Sequence, residues 1–427
     1  MGRTVTADRA TEGGLREAHA HLSMLGRSLA MCDVSDATGS RDLLDRMAAH
    51  TPDANGWVIG VGARPEGWSD QHWPSRDDFD RAVGGRPALV WCFDYHAMLA
   101  STRALKHAGI TGDTRIEGGV VELDGHSEPT GVLLEGAAGR VWASLPEAGE
   151  AERLEQVSAA CAHLAALGFV EVHDLKSEPW LGGVLARLES DGRLPVRVGL
   201  FPLVEHVEAV SAGRGAWESD GVRLLGGKIF TDGTLNSRTA WMLTPYADVT
   251  GERSRGMALM SVGEIAGAIE TCRGLGLGLA AHAIGDGAVR GVLDALEHVG
   301  GGNGTPPVRI EHAELIDAAD VPRFAELGAA CSVQPCHLLP DIEALGRAVP
   351  DRLERVLPLR ELIESGLEPG RGLLFGSDVP IVRADPGDSV LAATRRRRSE
   401  MPEVDAIGLS QALTEDECWT CFGRGLV

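Results

Sequence analysis

The run Glu17-Ala-His-Ala-His-Leu22 sets His19 and His21 two residues apart. On an extended strand, residues i and i+2 face the same way, so both imidazoles can reach one metal ion. Alone the pair says little, because a buried strand histidine is usually a hydrogen-bonded core residue. Here four further groups each close an apolar, strand-like run. Lys228 follows Val222-Arg-Leu-Leu-Gly-Gly, and His282 follows Leu277-Gly-Leu-Ala-Ala. His312 follows Val308-Arg-Ile-Glu, and Asp378 follows Leu373-Leu-Phe-Gly-Ser. The order His-x-His, Lys, His, His, Asp, with one group per strand, is far more specific than any member. It predicts a binuclear metal hydrolase.

The elements that must carry these groups are legible in the periodicity. From about residue 150 onward, helix-like and strand-like segments alternate, as in βα units around a parallel sheet. Helices are predicted over 150–167, 181–190, 262–275, 287–299, 317–327 and 357–365. Strands are predicted to end near Asp174, Phe201, Lys228, His282, His312, Gln334 and Asp378. With the His-x-His strand the count is eight, which predicts a (β/α)8 TIM barrel. Every candidate ligand then sits at the C-terminal end of a strand, where such barrels keep their active sites. The count requires residues 50–146 to be an insertion after the first strand, so the expected division is 1–49, 50–146 and 147–427. The insertion holds apolar runs at 57–62 and 87–93 and a hairpin, 119–123 to 131–134, turning at 124–127. An insertion there emerges on the catalytic face and is expected to wall the pocket. Tyr95 and His96 are its candidate substrate contacts.

Composition limits the partners. A formal charge of −22 argues against nucleic acid or an anionic membrane surface. No apolar run approaches the roughly 20 residues that span a bilayer, and the first ten residues lack a signal-peptide core, so a cytoplasmic protein is expected. The basic run 395–398 reads as a solvated helix face or end. Only three lysines occur among 40 basic residues, which makes Lys228 conspicuous. The eight cysteines read as reduced, buried thiols, and Cys418-Trp-Thr-Cys421 lacks the second ligand pair of a zinc site.

Further runs carry a resemblance. Phe93-Asp-Tyr-His-Ala97, Thr130-Gly-Val-Leu-Leu-Glu135, Lys228-Ile-Phe-Thr-Asp-Gly233 with Ser237-Arg-Thr-Ala240, and His282-Ala-Ile-Gly-Asp286 join the His-x-His run. So do Arg309-Ile-Glu-His-Ala313, Ser332-Val-Gln-Pro335 and Gly376-Ser-Asp-Val-Pro380. Together they resemble the amidohydrolase superfamily, in the family 3 branch that includes N-substituted formamide deformylases. The resemblance implies two divalent ions, Zn²⁺ first, with Mn²⁺, Fe²⁺ or Co²⁺ as alternatives. It implies that His19, His21 and Asp378 hold one ion, that His282 and His312 hold the other, and that a carboxylated Lys228 bridges them. A lysine ammonium has no lone pair, whereas its carbamate is an anionic oxygen ligand. The implied reaction is hydrolysis of a C–N bond in an N-formyl, N-acyl or cyclic amide by a metal-bridging hydroxide, with Asp378 moving the proton. Alternatives are a deaminase or an ester or C–C hydrolase of the same superfamily, or a non-catalytic binding barrel. Asp232 and Arg238 read either as loop salt bridges or as substrate contacts, Glu171 and His173 as structural or pocket-lining, and Asp286 as a helix cap. The family's flanking β-sandwich is expected to be missing, with a homodimer covering the exposed edges.

Overall fold

The computed structural model describes residues 14–93, 95–116, 118–302 and 306–423. The residues read for a signal peptide, and Asp94 of the 93–97 run, lie outside the described residues. The chain divides into two compact units, one of Met1–Leu25 with Val157–Val427 and the other of Gly26–Gln156.

Strand β1 (Leu15–Ala20) opens the first unit, and the chain then builds the second. There β2 (Cys32–Asp33), β3 (Val58–Ala63), β4 (Ala88–Cys92), β5 (Ala97–Ala100), β6 (Gly119–Leu123) and β7 (Pro129–Glu135) form one sheet, ordered β2-β3-β4-β5-β7-β6. The first three are parallel and the rest antiparallel. Strand alternation sends Leu89, Trp91 and Met98 to one core, and Val58, Val90 and Leu99 to a second on the opposite face. The β6–β7 hairpin turns where the Asp124 carboxylate accepts the N–H groups of His126 and Glu128, the usual service of Asp in a turn. This unit begins before residue 50. The two-residue β2 is too short to show periodicity, yet it pairs with β3, and helix Ser40–Ala49 buries Leu43 and Met47.

Returning to the first unit, the strands are β8 (Phe169–Ser177), β9 (Arg197–Pro202), β10 (Val222–Leu224), β11 (Gly226–Phe230), β12 (Gly278–Ala283), β13 (Val308–His312), β14 (Ala330–Val333) and β15 (Leu373–Phe375). They make two all-parallel sheets, β1-β8-β9-β10 and β11-β12-β13-β14-β15. Isolated parallel bridges join Leu203 to Lys228 and Ala20 to Val379. The strands are buried along nearly their whole length, as parallel strands covered by helices on their outer face are. Helices Glu150–Ala166, Leu181–Ser190, Val262–Gly274 and Asp286–His298 follow the sequence pattern closely. The helix expected from 317 starts only at Val321, because Pro322 lacks the N–H a helix interior needs and fits only the first turn.

Two smaller expectations change. Gly285 occupies the N-cap where Asp286 was expected to cap, and the Asp286 carboxylate instead accepts the Leu243 N–H at 2.7 Å. In the run 395–398, Arg396 is fully buried rather than solvated. It terminates helix Pro386–Arg395 in a left-handed conformation and donates to the Ile407 and Val356 carbonyls. All eight cysteines are buried and free. Among the described residues, no helix is long and apolar enough to cross a membrane.

Candidate metal centre

The end of β1 and the loop after β15 are laced together, and this lacing brings the first ligands to one point. The Asp378 N–H donates to the His19 carbonyl at 2.7 Å, and the His21 N–H donates to the Val379 carbonyl at 2.9 Å. Glu17, wholly buried, accepts from the backbone N–H groups of His19 and Ser377 and from the Ser377 hydroxyl, each at 2.9 Å. The approach depends on Gly376, where an added Cβ would stand 2.6 Å from the His19 nitrogen. Asp378 and His312 both hold left-handed backbone, with φ of 63° and 69°, a conformation that costs non-glycine residues free energy and gathers at functional sites.

Ligand atoms of His19, His312 and Asp378 all lie within 4.8 Å of one another. His21 Nε2 is 2.8 Å and His19 Nε2 3.4 Å from Asp378 Oδ1. The His282 ring centroid is 4.4 Å from that of His312, whose centroid is 4.8 Å from that of His19. Lys228 is buried beside this cluster, within the fields of Glu311 and Asp378. Thus all six groups expected to bind metal converge from β1, β11, β12, β13 and the loop after β15.

Three imidazoles have one nitrogen committed to a protein acceptor. His19 Nδ1–H donates to Glu311 Oε2 at 2.8 Å, His21 Nδ1–H to the Leu175 carbonyl at 2.6 Å, and His282 Nε2–H to the Gly233 carbonyl at 3.0 Å. These partners assign the tautomers and leave the other nitrogen of His19 and of His282 with its lone pair free, the state a metal ligand requires, while His21 Nε2 faces Asp378 Oδ1 at 2.8 Å. Burial pushes His19 down to about 4, His282 down to about 3 and His312 well below the ordinary histidine range, so these rings are neutral. Burial opposes ionisation of Asp378, but His19 and His21 overcome it and hold the carboxyl well below its usual range. Burial lowers Lys228 to about 8, against the pull of Glu311 and Asp378. Lys228 Nζ and His312 Nδ1 are buried with no hydrogen-bond partner among the described residues. Buried polar atoms are seldom left so, and neutral imidazoles around an ionised carboxylate are the donor set of a divalent cation. The residues therefore fit the metal pair that the resemblance implies.

Of the remaining candidates, Asp232 borders the cluster, its Oδ1 3.5 Å from His282 Nε2. Asp232 is fully buried and accepts the backbone N–H groups of Trp241, Ile284 and Gly285, tying the loops after β11 and β12 together. Arg238 forms a bidentate ion pair with Asp248 and also donates to the Leu235 carbonyl. Both hold loops. Tyr95 and His96 belong to the second unit, where Tyr95 is 47% exposed with φ of 59° and His96 pairs with Glu135 at 3.0 Å. Glu171 and His173 are structural: His173 Nε2–H donates to Glu171, and His173 Nδ1 accepts from Arg309 at 2.7 Å.

Sequence reasoning missed the groups that orient the ligands. Glu311 is the chief one, held down to about 2 because Arg309 and His19 outweigh burial. Its signal was available, since Val308-Arg-Ile-Glu-His312 places two charges at alternate positions of a buried strand. Glu17 carried no such mark.

The amidohydrolase family model matches residues 8–420. The YtcJ protein of Bacillus subtilis (strain 168) is 28% identical in a 432-residue alignment that covers 96% of this chain and 78% of that protein. The N-substituted formamide deformylase of Arthrobacter pascens is 24% identical in a 428-residue alignment that covers 95% of this chain and 76% of the enzyme. The crystal structure of an uncharacterized metal-dependent hydrolase from Pyrococcus horikoshii OT3 superposes with a TM-score of 0.77 at 26% identity, over 95% of this chain and 78% of that one. The chain belongs to the amidohydrolase family and is a hydrolase acting on carbon–nitrogen bonds.

Proposed function

We infer that the chain cleaves the amide C–N bond of an N-formyl, N-acyl or cyclic amide of small size, using two divalent ions. His19, His21 and Asp378 would hold one ion, His282 and His312 the other, and Lys228, carboxylated on Nζ, would bridge them. The observation that carries this reading is the buried cluster of neutral imidazoles around an ionised Asp378, with Lys228 Nζ unpartnered beside it. When bound, the ions supply Lewis-acid polarisation and activation of water. Asp378 lies among the ligands as a carboxylate, positioned to take a proton from the attacking water and give it to the leaving nitrogen. Glu311, Leu175 and Gly233 fix the three ring tautomers, so the site is organised before substrate arrives. A neutral lysine amine can add carbon dioxide with release of one proton, and the resulting carbamate anion would be tolerated in this buried position where the two cations pair with it.

We read the two parallel sheets as one closed eight-stranded barrel in which β10 and β11 count as a single interrupted strand. The bridges Leu203–Lys228 and Ala20–Val379, at the two seams, support closure. Tyr95 and His96, exposed on a left-handed corner, are retained as substrate contacts. A panel of N-formyl amines, N-acyl amino acids and cyclic amides, assayed with zinc- and manganese-loaded protein, tests the reading. Turnover of at least one class, abolished in Asp378→Asn, is expected. Absence of amide hydrolysis beside turnover of esters alone overturns it.

A further inference from the structure

A cavity of about 630 Å³ opens at the opposite, N-terminal ends of the first unit's strands. It lies between Phe201 on β9, Arg223 on β10, Leu277 and Gly278 at the start of β12, and Pro307 and Arg309 at the start of β13. Gly278 is four residues before His282, so along the strand this mouth stands about 13 Å from the metal ligands. Barrels of this class normally fill their interior with branched apolar side chains. Here Gly276 and Gly278 contribute none, and the cavity reaches inward to Arg309 and His173. Its volume falls within the roughly 300–1,000 Å³ usual for small-molecule sites.

The lining is chemically biased. Phe201, Leu277 and Pro307 supply apolar wall, while Arg214, Arg223 and Arg309 face a single acidic group, Glu218. Glu218 is occupied by the Leu224 N–H at 3.1 Å and by Arg214 at 3.7 Å. Arg309 is buried and stacks 5.0 Å from the Phe201 ring. It pairs with Glu311 below the cavity, and its Nε has no hydrogen-bond partner. Arg223 is exposed, and among the described residues no ion pair engages it. A cationic mouth in a chain of charge −22 runs against the background field and favours an anion.

We propose that this cavity is a second binding site, separate from the metal centre, for a small apolar molecule bearing one carboxylate. The apolar body lies against Phe201 and Leu277, and the carboxylate faces Arg223 and Arg309. Arg309 also reaches Glu311, which holds His19, so an occupant touches a chain of contacts that ends at a metal ligand.

Isothermal titration of the full chain with 4-phenylbutyrate tests the site, because the probe has both features and its alcohol, 4-phenylbutanol, lacks the charge. One saturable site is expected in zinc-loaded protein and in protein stripped by a chelator, since none of the six expected metal ligands lines the cavity. Arg223→Glu, at an exposed position, should weaken binding at least tenfold while amide hydrolysis is unchanged, and the alcohol should bind at least tenfold more weakly. The proposal is overturned by absence of saturable binding, by loss of binding on metal removal, by indifference to Arg223→Glu, or by equal affinity for the alcohol.

Discussion

The two ends of the parallel strands treat buried charge in opposite ways. At the N-terminal end, Glu171 meets Arg197 at 2.8 Å, Arg16 at 3.5 Å and His173 at 3.1 Å, and His173 accepts from Arg309. Each of these buried charged groups has an ion-pair or hydrogen-bond partner, the arrangement that makes burial of charge tolerable. At the C-terminal end, Lys228 Nζ, which lies 5.1 Å from the Phe230 ring, and His312 Nδ1 make no hydrogen bond among the described residues. The difference teaches where the fold is finished by its own side chains and where it awaits something else. One strand, β13, spans both ends, with Arg309 ion-paired to Glu311 near its start and His312 at its end.

The sharpest break of this contrast is at Asp378. Asp378→Asn removes the carboxylate that both holds metal and moves the proton, and kcat should fall by at least about 10²–10⁴-fold. A comparable loss from Arg197→Ala would erase the distinction between the ends. Next, Glu311→Gln leaves His19 in place but weakens its orientation, and zinc affinity measured by chelator competition should drop about 10–100-fold.

Acid should open the site in a defined order. His21 is raised above the ordinary histidine range because Asp378 outweighs its burial, whereas His19 and His282 are lowered to about 4 and about 3. Proton and metal compete for His21 Nε2, so its contribution to affinity is full above its raised pKa and is lost as pH falls through it. Metal retention followed by equilibrium dialysis should therefore begin to fall as pH drops through the raised His21 range, well before His19 and His282 protonate. A profile flat down to pH near 4 would show that His21 is not a ligand.

A smaller effect is expected in the second unit. His96→Ala should lower kcat/KM severalfold and leave metal content intact, unlike any ligand change. The smallest concerns a helix cap that none of the site residues touches through a hydrogen bond: Ser261→Ala breaks the capping box of helix Val262–Gly274 and should cost about 1 kcal/mol in denaturant unfolding, with activity unchanged.

Much of this was legible in the sequence because it depends on local period. Strands β8, β12 and β13 and the helices between them are long, apolar and bounded, and each ligand closes such a run. What sequence hid depends on distant pairing. Asp232 and Arg238 read equally as loop ties or substrate contacts, and only the position of Trp241, Gly285 and Asp248 shows them engaged. The tautomer partners Leu175 and Gly233 are backbone carbonyls, which carry no side-chain mark at all.

The open end is best tested by counting what fills it. Metal analysis of folded protein grown with ample zinc should give close to two equivalents per chain. Lys228→Ala should lose most of both, and added short-chain carboxylic acids should restore part by occupying the bridge. Less than half an equivalent in folded wild-type protein, or an unchanged metal content in Lys228→Ala, would contradict the two-metal account.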